Sequence, residues 1–246
     1  QTKNEKVTKK LVQELTSFRG RALEEYVKFL CDVMTQNNSK LSFEYIPPEK
    51  TKDNEEVGDS ILIQEESIVI IEVKSRQFKE GFKYTGQWEE DSQFIDELIK
   101  KASGQIQVAG EKIMSEEITL PIETKKIRRI YPVILTYEPT PTHGKMQRYT
   151  RQKAKEFGLL QDSIFAPLEI MDINDIEKIM DCVDTYTLID LLKEKHSDDI
   201  HSNETNFHNF FSYFLGNHKV ISNGWQKTQF DELWNNVFKK HLVFKS

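Results

Sequence analysis

"SIVIIEVKSR", residues 67–76, joins an apolar strand to a pair of charged residues. Four consecutive apolar residues, Ile68 to Ile71, predict a strand that is buried on both faces of a sheet. Glu72 and Lys74 follow at once and share one face, because side chains of a strand alternate with a period of two. A charged group beside a buried strand loses hydration, which only a partner or a metal ion restores. The stretch therefore predicts a buried sheet with a specialised site at the end of one strand.

A hairpin leads into this strand. The segment "DSILIQ" begins at Asp59, and a turn at Glu65 and Glu66 would place Asp59 directly opposite Glu72. Opposed residues of an antiparallel pair have Cβ atoms about 4.5–5.5 Å apart. Two carboxylates at that separation repel each other unless a cation lies between them, and oxygen ligands of this kind suit Mg²⁺ or Mn²⁺. The register therefore predicts a divalent-metal site at Asp59 and Glu72, with Lys74 beside it.

The remaining segments alternate between helical and strand patterns. Apolar spacing predicts a helix over residues 17–34 before the hairpin and another over residues 91–114 after it, with a loop at 78–90. Further strands are predicted at 41–46, 126–138 and 167–173, and further helices at 145–158 and at 174–180, the last capped by Asn174. This order predicts an α/β fold in which a central mixed sheet is flanked by helices.

The pattern changes near residue 184, after which only helical segments follow. We therefore predict two parts, an α/β domain over residues 1–183 and an all-helical C-terminal region over residues 184–246. The dense Phe and Trp residues of the second part are more typical of a core than of a binding surface.

Composition bounds the function. The 246 residues carry 34 Lys and Arg against 40 Asp and Glu, a formal charge of -6, so the surface as a whole does not attract polyanions. Contact with nucleic acid would need a local basic patch or a metal ion. The two cysteines, the lack of a leader pattern and the lack of an apolar run of about 20 residues predict a cytoplasmic protein with no membrane partner.

A family resemblance rests on the hairpin residues. Asp59, twelve intervening residues and then Glu72-Val73-Lys74 after an apolar strand resemble the PD-(D/E)XK signature of restriction-endonuclease-like nucleases. The resemblance covers roughly residues 17–180 and implies a restriction-endonuclease-like core. It implies that Asp59 and Glu72 hold the metal, that the Val73 carbonyl is a further ligand, and that Lys74 orients or activates the attacking water.

Three further positions bear on the resemblance. The stretch "RGRALEE" resembles the first helix of the family, where a Glu completes the acidic cluster, and Glu24 matches best, with Glu25 one position off. Gln105 matches a Gln that some members carry on the next helix, although Ala109 stands where a Tyr would follow. Gly58 stands in place of the family's Pro.

A basic helix offers a candidate surface for nucleic acid. Lys145, Arg148, Arg151 or Gln152, and Lys155 recur at helical spacing and would form one positive face. Such a face can bind phosphates, and its alternative interpretation is an ordinary solvated helix face.

The leading functional prediction is a metal-dependent endonuclease that hydrolyses phosphodiester bonds of nucleic acid, with DNA favoured over RNA. Mg²⁺ or Mn²⁺ would be the cofactor, a homo-oligomer or a partner subunit is compatible with the sequence, and family habit suggests prokaryotic defence or restriction. The alternative is a nucleic-acid-binding or assembly module that kept the fold without the chemistry. The net acidity and Ala109 favour the alternative, whereas the intact Asp, Glu and Lys favour the enzyme.

Overall fold

The computed structural model describes residues 3–44, 58–75, 88–139, 144–197, 205–220 and 222–233. The strands are β1 (Ser42–Glu44), β2 (Ser60–Gln64), β3 (Ser67–Lys74), β4 (Arg129–Thr136) and β5 (Glu169–Asp172). The helices are α1 (Lys3–Asn37), α2 (Trp88–Met114), α3 (Gly144–Glu156), α4 (Ile173–Met180), α5 (Leu188–Lys195), α6 (Phe207–His218) and α7 (Trp225–Leu233), with a 3₁₀ turn at Thr124–Lys126.

The strands form one mixed sheet in the order β1-β2-β3-β4-β5. Strands β1, β2 and β3 pair antiparallel, and β3, β4 and β5 pair parallel. Helices cover both faces of this sheet, so the predicted α/β class is confirmed. Because β3 and β4 run in the same direction, their carboxyl ends lie together, with Lys74 opposite Thr136.

The predicted hairpin is confirmed. Gln64 pairs with Ser67 and Ile61 pairs with Ile70, which leaves a two-residue turn at Glu65 and Glu66. Strand β3 is buried along its length as far as Val73, as its unbroken apolar run requires.

Two hydrophobic cores lie on opposite faces of the sheet. One contains the buried residues of α1, α4, α5 and α6 together with the odd-numbered positions of β3 and β4, such as Val73 and Val133. The other contains the buried residues of α2 and α3 with the even-numbered positions, such as Ile70 and Ile134. The alternation of a strand therefore sends Glu72, an even position, toward the α2 face.

Several element boundaries differ from the prediction. Helix α1 begins at Lys3 rather than near residue 17, and α2 begins at Trp88, so the end of the predicted 78–90 loop is helical. Residues 78–87 of that loop lie outside the described residues. The cap of α4 is Asp172 rather than Asn174, because the Asp172 carboxylate accepts the Asn174 N–H and Asp175 completes a capping box.

The C-terminal helices pack on the sheet. Residues of α5 and α6, among them Leu188 and Phe210, belong to the same core as α1 and one sheet face. The division into parts at residues 183 and 184 stays a prediction. Within the described residues, no helix is both long and apolar enough to cross a membrane.

Candidate functional site

The carboxyl end of β3 and the residues just before β2 form the candidate site. Asp59 lies one residue beyond Ser60 and Ile71, the last pair of the β2–β3 ladder, and its contacts place it next to the β3 backbone at Glu72. The Asp59 N–H donates to the Ile71 carbonyl at 2.9 Å, and the Asp59 carboxylate accepts the Val73 N–H at 2.6 Å. Asp59 is therefore fixed against β3 through both its backbone and its side chain.

Gly58 has a backbone conformation that the proline of the resembled signature cannot adopt. Its φ is +56°, and a Cβ atom added there would lie 3.0 Å from Ile70 Cγ2. Proline holds φ near −65°, so it cannot adopt this backbone conformation. A glycine is the residue that allows the chain to enter β2 in this way while Asp59 meets β3.

Glu72, Lys74 and Gln105 form a chain of polar contacts across two elements. Glu72 is only 3% exposed, and the Lys74 ammonium contacts its Oε1. The same ammonium donates to Gln105 Oε1 on α2 at 2.9 Å. The structure therefore brings the predicted Gln105 to the predicted Lys74, even though Ala109 occupies the position of the family's Tyr. The contact from Gln105 restricts where the ammonium can lie.

The backbone at Val73 is turned toward Asp59. The N–H and C=O of one strand residue point to the same side, and the Val73 N–H reaches the Asp59 carboxylate. The Val73 carbonyl therefore also points to the β2 side, whereas the Lys74 carbonyl accepts the Tyr137 N–H at 3.3 Å on the β4 side. This orientation suits the ligand role that the resemblance implies for Val73.

Helix α1 meets this end of the sheet. Arg19 Nη2 donates to the Ser75 carbonyl at 3.0 Å, and a Cβ atom on Gly20 would lie 3.3 Å from Ser75 Oγ. Glu24 follows Gly20 by four residues and so lies on the same side of the helix. Glu25 is exposed and pairs with Lys28 at 2.7 Å, so Glu24 is the better placed of the two candidate acids.

The oxygen atoms at the carboxyl end of β3 are of the kind that divalent ions bind. Mg²⁺ is usually bound through one or two carboxylates with several water molecules. Asp59, Glu72 and the Val73 carbonyl are oxygen donors of this type at the carboxyl end of β3. Among the described residues, no group of three or more His, Cys, Asp or Glu side chains could hold a metal. Glu24 therefore does not complete a three-carboxylate cluster here, and its role as a third acid stays a prediction.

The predicted basic face is divided by the structure. Lys145, Arg148 and Lys155 are exposed on α3. Arg151 instead contacts the Glu169 carboxylate and donates through Nε to the Leu168 carbonyl at 3.0 Å. Arg151 therefore lies in an internal network, because a buried carboxylate on β5 requires a cation.

That internal network was not predicted. Glu169 is 1% exposed and contacts Arg151, the Lys195 ammonium at 3.0 Å and His196 Nε2 at 3.2 Å. His196 also stacks on Tyr131, with ring centroids 6.1 Å apart. A sequence signal existed, since Glu169 is a charged residue inside a predicted strand, as Glu72 is.

The charges of the network act on its carboxylate. Burial alone would raise the pKa of Glu169, but the His196 hydrogen bond and the Lys195 and Arg151 charges outweigh it and lower that pKa. Burial also lowers the pKa of Lys195, although Glu169 opposes this shift. Glu169 is therefore held as an anion between α3 on one side and α5 on the other.

Comparisons of the chain with protein-family models, with curated proteins and with solved structures gave no match.

Proposed function

We propose that this chain is a divalent-metal-dependent nuclease with a restriction-endonuclease-like core, which hydrolyses phosphodiester bonds of nucleic acid. The proposal rests on the contacts at the carboxyl end of β3. There Asp59 lies beside Glu72, and the Lys74 ammonium is held between Glu72 and Gln105. The residues of the signature and Gln105 are distant from each other in the sequence but lie together at this end of the sheet.

The arrangement of elements also supports this core. A helix precedes three antiparallel strands, a second helix follows β3, and β4 then joins β3 in parallel. The site lies where the carboxyl ends of β3 and β4 meet, an edge at which open α/β sheets commonly bind ligands.

The proposed mechanism assigns separate roles to the residues. Asp59, Glu72 and the Val73 carbonyl would hold Mg²⁺ or Mn²⁺. The bound ion supplies Lewis-acid polarisation of the phosphate and a lower pKa for a water molecule. Lys74 offsets the negative charge that develops on the attacked phosphate, and Gln105 orients its ammonium group. Water adds to phosphorus as one ester oxygen leaves, which yields a phosphomonoester and an alcohol.

The substrate would reach the site along α3. Thr136, the last residue of β4, pairs with Lys74, and α3 is the next helix in the chain after β4. The first turns of α3 would therefore lie near the end of the sheet that carries the site. Lys145 and Arg148 are exposed there and can bind phosphates of the backbone. DNA remains favoured over RNA, and a role in prokaryotic defence or restriction stays a prediction from family habit.

A second candidate is a nucleic-acid-binding or assembly module without catalysis. Two observations favour it, namely Ala109 in place of the family's Tyr and the lack of a three-acid group among the described residues. The two functions differ in one measurable property, because only the enzyme breaks phosphodiester bonds.

Incubation of the protein with plasmid DNA, linear DNA and single-stranded RNA tests the proposal. Each substrate is combined with Mg²⁺, Mn²⁺ or EDTA, and a Lys74→Met variant purified in parallel controls for contaminating nucleases. We expect cleavage of DNA with metal, none with EDTA, and cleavage by the variant that is about 10²–10³-fold slower. Binding of DNA without cleavage under every metal condition would support the module instead.

A further inference from the structure

Helix α1 carries two apolar faces. One face is buried in the core and includes Leu23, Val27, Leu30 and Met34. The other points to solvent and includes Leu11, Leu15, Phe18 and Phe29, which are 60%, 68%, 63% and 47% exposed. Large apolar residues that line up in water on one helix are unusual for a monomer and mark an interaction surface.

The exposed residues follow the spacing of a helix–helix seam. From Leu11 the steps to Leu15, Phe18 and the exposed Ala22 are four, three and four residues, and Phe29 follows one heptad after Ala22. This is the alternation of a and d positions in a coiled coil. We call these five residues the outer stripe. Phe29 follows Leu11 by 18 positions, about five full turns, so both ends of the stripe point the same way.

The first part of α1 has no tertiary support within the described residues. Every residue from Lys10 to Phe18 is exposed, whereas burial begins beyond it at Leu23. A helical segment of this length without packing is marginal in water, because most helix stability in proteins comes from a packed apolar face. A partner over the outer stripe would supply that packing.

We propose that a second copy of this chain covers the outer stripe, with the two α1 helices packed antiparallel in a dimer. In an antiparallel pair with its axis between Phe18 and Ala22, Leu11 lies opposite Phe29 of the second copy. Phe18 then lies opposite Ala22, so a large residue meets a small one at the centre. The exposed first part of α1 in each copy then packs against the solvent side of the part of α1 beyond Leu23 in the other copy. This contact buries the outer stripe of both copies.

Charge selects this orientation. Glu25 interrupts the outer stripe, and a parallel pair in register would set it against its own copy. Like charges that face each other inside a seam are unfavourable. The antiparallel pair sets Glu25 against Leu15, and its intrachain partner Lys28 already lies 2.7 Å away. Glu14, which is exposed beside the stripe, then lies next to Lys28 of the second copy, where the charges are complementary.

Sedimentation equilibrium of the full chain tests the dimer. We expect the parent to have the mass of two chains and a Leu15→Glu/Phe18→Glu variant to have the mass of one. Gln13→Glu is the matched control, since Gln13 is exposed on the same helix about 200° away from Leu11 and should leave the dimer intact. A monomeric parent, or a double variant that remains dimeric, would overturn the proposal. None of these outcomes depends on nuclease activity.

Cysteine cross-linking tests the orientation and does not require a destabilising charge. Both native cysteines, Cys31 and Cys182, are buried and should not react. A chain with both Leu11→Cys and Phe29→Cys should give a covalent dimer under mild oxidation, whereas each single variant should stay unlinked. Cross-linking by Leu11→Cys alone would show a parallel pair and would contradict the proposed arrangement.

Discussion

Two buried carboxylates on neighbouring parts of one sheet have opposite surroundings. Glu72, at the carboxyl end of β3, shares its site with a second carboxylate, Asp59, and with one ammonium group, that of Lys74. Glu169, on β5, is enclosed by Arg151, Lys195 and His196. Among the described contacts, the first site brings two carboxylates and one ammonium group together, whereas the second places two cations and an imidazole around one carboxylate.

The difference in charge indicates a difference in role. A carboxylate that the chain surrounds with its own cations links elements of the fold, here α3 and α5 across β5. Two carboxylates and a backbone carbonyl at the carboxyl end of a strand are oxygen donors that an added cation such as Mg²⁺ can use. The comparison therefore supports a structural role for Glu169 and a metal-binding role for Glu72.

The largest expected effect is on stability at Glu169. Glu169→Gln leaves Arg151 and Lys195 without their buried anion, and removal of one partner of a buried pair costs about 3–5 kcal/mol. Chemical denaturation measures the change in the free energy of unfolding. Glu123→Gln is the control, since Glu123 is 54% exposed in its pairs with Lys125 and Lys126, and exposed ion pairs contribute little to stability. Equal costs for the two variants would contradict the structural role of Glu169.

The next effect is on catalysis at Lys74. Lys74→Met keeps much of the volume and removes the charge, so cleavage should fall by about 10²–10³-fold, as for other groups that stabilise transition-state charge. Mn²⁺ affinity should stay equal or increase, because a nearby positive charge is lost. Single-turnover cleavage and titration calorimetry measure the two quantities. Lys145→Met, an exposed lysine on α3, should weaken DNA binding with little effect on metal affinity. Weaker Mn²⁺ binding by Lys74→Met would contradict the role of Lys74 in offsetting charge on the attacked phosphate.

The fold could be predicted where local patterns decide it. The unbroken apolar run of β3 and the short turn after Gln64 determine the hairpin register, so Asp59 could be placed beside Glu72 without any structure. The alternation within β3 also determines that Glu72 and Lys74 share a face. These inferences need only strand geometry and burial.

The network at Glu169 could not be assembled in the same way. Its members come from β5, α3 and the end of α5, and only the packing of helices on both sides of the sheet brings them together. Helical spacing placed Arg151 on the predicted basic face, but its long side chain reaches back to β5. Periodicity gives the side of a helix, while the partner of a long cation depends on tertiary contacts.

The exposed first part of α1 could also not be predicted from the apolar spacing. The helix was predicted only from residue 17, because the buried stripe that indicates it begins at Leu23. The second apolar stripe before it reduces the contrast between a polar and an apolar face. The structure separates the two stripes by their burial.

A smaller effect is expected on metal affinity at Glu72. Glu72→Gln preserves shape but removes one anionic oxygen donor. Loss of an outer-shell partner alone lowers metal affinity by about 10–100-fold, so loss of this ligand should cost at least about 100-fold in Mn²⁺ affinity. Titration calorimetry measures the affinity, and thermal unfolding without metal checks that the fold is retained. Glu66→Gln, in the exposed turn of the same hairpin, is the matched control. If Glu72→Gln bound Mn²⁺ as tightly as the parent, Glu72 would not be a metal ligand, and its role would not differ from the structural role of Glu169.

Asp175 provides the smallest expected effect and a reference for carboxylates that lie close together without an added ion. Burial, and then the charge of Asp172, raise the pKa of Asp175 from 3.8 to about 7. The folded chain thus binds this proton more tightly than the unfolded chain, so the contribution to stability is full below the unfolded pKa and is lost as pH rises through about 7. The free energy of unfolding should therefore decrease between about pH 4.5 and about pH 7.5, with a slope of less than one proton.

Asp175→Asn tests this slope with the fold largely preserved, because an amide oxygen can still accept the Asp172 N–H that Asp175 Oδ2 accepts at 3.2 Å. Urea denaturation across the same pH range should show a flatter dependence for Asp175→Asn than for the parent. Asp162→Asn is the control, since Asp162 is exposed and accepts the Ile164 N–H in a similar local bond. An unchanged slope in Asp175→Asn would show that Asp175 is ionised at neutral pH. Two carboxylates of this fold, those of Asp172 and Asp175, would then both be ionised side by side, and Asp59 and Glu72 could likewise lie together without a cation.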